Sequence, residues 1–129
     1  MPRYFLFIAC LFAMLAVILG AFGAHGLKPH LSATQLNSYE IGIRYQFYHA
    51  FAILASIWLA DKLSSDLATY AAGAFTVGIV LFCGSLYLLS TRELIGLTSY
   101  KWLGPITPIG GTFFIIGWLL LCIAAWRNA

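Results

Sequence analysis

Residues 4–27 contain no Lys, Arg, Asp or Glu, and neither do residues 67–91. These runs of 24 and 25 residues exceed the roughly 20 that an α-helix needs to cross the hydrocarbon core of a bilayer. A backbone placed there has no water to bond, so only helices and closed barrels can span it. Runs this long and this apolar predict helices. Composition agrees: 62% of residues are apolar and 9% charged, against roughly 25% charged in a soluble domain, and the mean hydropathy is +0.92. The chain reads as one integral membrane domain, residues 1–129. A secretory signal has an apolar region of only about 7–15 residues, so residues 4–27 read as a retained anchor.

Four helices are expected, at about 4–24, 33–61, 66–90 and 107–126. The first carries Ala13, Ala16, Gly20 and Ala24 as a small-residue packing face and is expected to end in Gly23-Ala24-His25-Gly26, with Pro29 keeping the connection non-helical. The second opens on Ser32-Ala33-Thr34-Gln35, a capping box. Glu40 and Arg44 follow as an i,i+4 pair in the favourable order. Only 45–60, 16 residues, is free of charge in this helix; counting back from Lys62 puts the interface near Arg44 and His49 about 10 Å deep. Ala52 and Ser56 continue its packing seam. Ser64 or Ser65 is placed to cap the third helix, whose Ala74, Gly78 and Ser85 lie near a common face. Residues 92–107 read as an interfacial loop. Thr107 and Pro108 then resemble an N-cap with proline at the first helical position, ahead of a fourth helix with Gly110, Gly111 and Gly117. The expected architecture is all-α, an up-down-up-down four-helix membrane bundle with a long second helix.

Aromatic belts fit that order. Tyr4, Trp58, Tyr70 and Trp126 fall on the side of both termini, and Tyr45, Tyr48, Tyr87, Tyr100 and Trp102 on the other. Lys28, Arg44, Arg92 and Lys101 on the loop side slightly outnumber Arg3, Lys62 and Arg127, which leans to loops inside.

The candidate site is a polar hub. Arg44, Tyr45, Gln46, Tyr48 and His49 crowd one end of the second helix, level with His25, Ser85 and Thr107 of the others. An amide or imidazole without a partner in hydrocarbon costs several kcal/mol, so these side chains are expected to bond other helices. No metal is expected, because His25, His30 and His49 stand at a Gly-rich, Pro-broken spacing that imposes no ligand geometry. No cofactor is expected either. Cys10, Cys83 and Cys122 each lie in an apolar run without a C-x-x-C and read as buried small hydrophobes. The net charge of +3 is dispersed, which excludes nucleic acid as a partner.

GAFGAHGL at 20–27, RYQFYHA at 44–50, LFCGSLYLL at 81–89 and GPITPIGG at 104–111 occur in that order. They resemble the YgdD/YwdK-like small membrane proteins, a family of unknown function related to a mitochondrial transmembrane protein of animals. The resemblance implies a four-helix, multi-pass protein of the bacterial cytoplasmic (inner) membrane and brings no activity, cofactor or catalytic residue. With no nucleophile beside a base and no paired carboxylates, an enzyme is not expected. The expected role is a structural or accessory component packing in the lipid bilayer against itself or a larger membrane complex. The alternatives are a homo-oligomeric transporter or channel for ions or small solutes, lined by the polar residues at 44–49, and quinone or lipid binding at 45–49.

Overall fold

A helix in an apolar run continues until a neighbour or a bonded cap stops it, and the first helix shows this. The computed structural model describes residues 3–127; the ends of the expected 1–129 domain lie outside the described residues. Helix α1, Arg3–Phe22, does not end at the glycines but runs on through a π-helical turn, Gly23–Leu27, and a 3-10 turn, Lys28–His30. Neither Gly23 nor Gly26 takes the positive φ of a glycine cap. Gly23 is needed for space: a Cβ there would meet the Tyr39 ring, whose Cδ1 stands 3.0 Å away. Pro29 is tolerated in the first turn of the 3-10 segment, where amides lack helical partners. Leu31, in extended backbone, ends the run.

Helix α2, Ala33–Leu63, starts on the capping box read from the sequence: Gln35 N donates to Ser32 Oγ at 3.1 Å and Ser32 N to Gln35 Oε1 at 3.0 Å. Ser64, left-handed at φ 50°, closes it. The two serines do not cap the next helix as expected: Ser64 is used to end α2, and Ser65 stands at the N-cap of α3, Asp66–Gly78, without a side-chain bond. A π turn, Ile79–Cys83, joins α3 to α4, Gly84–Ser90.

The last helix, α5, Leu103–Arg127, begins four residues before the expected Thr107. Its first amides are bonded from the preceding turn, Leu103 N to Tyr100 O and Gly104 N to Lys101 O. Pro105 removes an amide that would have had no helical partner. Pro108 therefore lies inside the helix and deprives Gly104 O of an i+4 partner, while Thr107, expected as the cap, spends its hydroxyl on Ser85.

The largest helix contacts are α3 with α5, α1 with α2 and α2 with α3, and the Ile79–Cys83 turn packs on both α5 and α2. Small side chains carry these contacts: Ala16, Ala52, Ser56, Gly78, Gly110 and Gly117 are buried, and Ala13, Gly20 and Ala74 half-buried. Phe75, Ile53 and Cys83 fill the centre. Cys10 and Cys122, expected to be buried, are exposed among the Leu, Ile and Val side chains that cover the outside. A surface of that composition suits lipid, which does not penalise apolar exposure. Among the described residues, Arg3–His30, Asp66–Ser90 and Leu103–Arg127 are long and apolar enough to cross a membrane.

Candidate functional site

Gln46 is a polar side chain that α2 must satisfy, because its position on the helix leaves it only 3% exposed. Its amide N donates to the carbonyl of Phe12 in α1 at 2.7 Å, and its Oε1 accepts from the Tyr87 hydroxyl of α4 at 2.6 Å. Two turns earlier the Tyr39 hydroxyl donates to Leu19 O at 2.5 Å, and the Tyr39 and Tyr87 rings meet at 5.3 Å. These bonds fix the register of α2 on α1. Phe12 is eight residues, about 12 Å, beyond Tyr4, so Gln46 lies well inside the apolar run of α1.

His49, 5% exposed, stands one turn further on and faces α5. Its ring stacks on Phe114 with centroids 3.6 Å apart, and the Trp118 indole N–H donates to Nε2 at 3.2 Å. An Nε2 that accepts must be unprotonated, so Nδ1 carries the proton and donates to Tyr45 O at 2.8 Å. The contacts therefore define a neutral imidazole in a single tautomer, with both nitrogens occupied. Phe114 is near the midpoint of α5, which places His49 near the middle of the helical layer.

Beside His49 a largely apolar groove of about 630 Å³ opens on the outer surface, walled by Tyr45, Tyr48, Phe82, Pro108, Phe114 and Trp118. Tyr45 packs on Phe82 at 4.9 Å. Tyr45 and Tyr48 are exposed, and their hydroxyls make none of the bonds that hold Gln46 and His49.

Ser85 and Thr107 form a separate pair. Their hydroxyls are 2.6 Å apart, and since Ser85 donates to Phe82 O at 2.9 Å, Thr107 is the donor between them. The remaining two expected members lie elsewhere. His25 is exposed on the π turn at the end of α1. Arg44 is exposed on the α1–α2 side, and its Nε donates to the backbone carbonyl of Glu40 at 3.5 Å in place of the expected carboxylate. The eight candidates thus do not form one hub: Gln46 bonds Phe12 and Tyr87, His49 lies with Tyr45 and Tyr48 beside Phe114 and Trp118, Ser85 pairs with Thr107, and His25 and Arg44 stand apart. Tyr39, Tyr87, Phe114 and Trp118, which supply partners, were not among the candidates. Trp118 did carry a signal: a tryptophan in mid-run, remote from either belt, needs an acceptor for its N–H.

Three comparisons bear on this chain. A family model described as a protein of unknown function, DUF423, matches residues 19–111. The UPF0382 membrane protein YwdK of Bacillus subtilis (strain 168) is 43% identical over 124 residues, covering 95% of this chain and 96% of its own. The UPF0382 membrane protein SSP2132 of Staphylococcus saprophyticus is 42% identical over 125 residues, covering 97% of this chain and 98% of its own. No solved structure matches.

Proposed function

The chain belongs to the DUF423 family, whose relatives above are membrane proteins, and from that premise we propose that it is a structural or accessory component of a bacterial cytoplasmic membrane. In this reading it crosses the bilayer four times, up-down-up-down, with α2 as the crossing that carries charge and both termini on one side. The observation that carries the proposal is the state of the interior: among the described residues every buried side-chain nitrogen and oxygen has a hydrogen-bond partner within the chain. Gln46 and His49 spend their polar atoms on bonds within the chain, which supports a packing role over one in lining a path. A transporter would need Arg44, Gln46 and His49 on one route, yet Arg44 opens beside α1, Gln46 lies between Phe12 and Tyr87, and His49 faces Phe114 and Trp118.

His49→Phe tests this. It keeps the stack on Phe114 and removes the acceptor of Trp118, and interhelical hydrogen bonds in membranes average about 0.6 kcal/mol. A small loss of stability in mild detergent is expected, with no cellular phenotype like that of deleting the protein. A deletion phenotype with stability intact would assign His49 to binding or transport. Topology is tested separately: reporters fused after Lys62 and after Arg127 should report the same side, and opposite sides would remove the four-crossing arrangement.

A further inference from the structure

Glu40 and Arg44 are the two charges that the register of α2 draws toward the bilayer. Ile43 lies against Gly20, 3.6 Å from where a Cβ would stand, and Gly20 is eight residues, about 12 Å, short of Lys28. Arg44 is therefore about two turns below the charged end of the first helical run, and Glu40 one turn above it. Both side chains are exposed, and with Gly20, Gly23, Ala24, Tyr39 and Ile43 they line a groove of about 310 Å³ between α1 and α2. Spaced i,i+4, they stand where they can pair with each other. Instead Arg44 Nε reaches the Glu40 backbone carbonyl, and among the described residues the Glu40 carboxylate forms no ion pair. An arginine facing lipid at this depth is costly, and such residues usually face a protein surface.

We propose that this groove is a two-fold interface between two copies of the chain, in which Arg44 of each copy pairs with Glu40 of the other. The charges select the occupant. An anionic lipid would be drawn by Arg44 and repelled by Glu40, whereas a second copy presents both signs in the complementary arrangement. A two-fold axis along the membrane normal sets the copies parallel, with equal residues at equal depth. Arg44 then has to reach about 6 Å, one turn, toward its own Glu40 end. Its Nε already points that way. This inference rests on the structural reading above and assigns a surface to its self-association.

The test is the mass of the full chain extracted in mild detergent. The wild type should be a dimer, R44E and E40R should each lose it, and the double variant E40R/R44E should regain it. A wild-type monomer, a monomer carrying anionic lipid, single variants that stay dimeric, or a double variant no better than the singles would each overturn the interface. Because a reversed charge can itself prevent folding, cross-linking in native membranes is the second measurement. In a chain without the exposed Cys10 and Cys122, A24C should yield a bismaleimide-linked dimer and I115C, exposed on α5, should not. A24C that fails to link, or links no better than I115C, overturns it as well. A monomeric wild type in which His49→Phe still loses stability would remove this interface and leave the structural reading standing.

Discussion

Gly110→Ala is expected to destabilise the protein by about 3 kcal/mol, the upper end of the usual cost of overpacking a core. The new methyl would stand against the backbone N of Phe82, with Phe82 Cα and Cβ at 2.8 Å. Backbone inside the Ile79–Cys83 turn cannot swing aside as a flexible side-chain tip can. The clash therefore has to be relieved by moving α5 off the turn. That movement would pull Phe114 from its stack on His49 and disturb the contact in which Gly110 O sits 3.2 Å from the Cβ position of Gly78. Gly84→Ala is the control, on the helical run that carries Phe82. Nothing lies within 4 Å of its Cβ position, and its backbone is helical at φ −58° and ψ −45°. Replacing a helical glycine there should stabilise by about 0.5–1 kcal/mol. Unfolding of both variants in mixed micelles measures the difference; if Gly110→Ala unfolds like the wild type, α5 does not approach Phe82 this closely.

The parts of this fold that sequence discloses are those decided within one turn or by bulk solvent preference. The uncharged runs at 4–27 and 67–91 mark membrane-length helices because hydrocarbon rejects charge regardless of what packs beside it. The Ser32–Gln35 box forms because both of its bonds are local. What sequence left hidden depends on neighbours. Gly23 reads as a helix stop until the Tyr39 ring lies on it, and Pro108 reads as a helix start until the preceding turn bonds Leu103 and Gly104. The need of Gln46 and His49 for partners followed from the cost of burying amide and imidazole. Their partners did not, because the Phe12 carbonyl is indistinguishable in sequence from any other, and Tyr87 was read as a belt residue although its hydroxyl turns inward to Gln46. Arg44 and His49 are five residues apart, which on a helix sends them to different neighbours.

Gln46→Leu should cost about 1–2 kcal/mol, more than His49→Phe, and the loss should be partly recovered by adding Tyr87→Phe. The change is close to isosteric, so packing is nearly conserved and the hydrogen bonds are what is tested. The two partners of Gln46 respond differently. Phe12 O is a backbone carbonyl in the middle of α1, and an α-helix supplies it with an amide, so losing the Gln46 donor leaves it satisfied. The Tyr87 hydroxyl has Gln46 Oε1 at 2.6 Å, and in Gln46→Leu it becomes a donor facing apolar side chains. An orphaned buried donor carries a desolvation penalty of about 1–3 kcal/mol, larger than the net value of the bond itself. Tyr87→Phe removes the orphan and keeps the ring against Tyr39 and Gly42. The double variant should therefore be more stable than Gln46→Leu alone, giving a coupling energy of about 1 kcal/mol in a double-mutant cycle, inside the range found for residues sharing one hydrogen bond. Unfolding of the four proteins of the cycle in the same detergent measures it. Strict additivity, with the double variant losing the sum of the singles, would mean that Tyr87 and Gln46 do not share this bond and that Gln46 ties α2 to α1 through the Phe12 carbonyl alone.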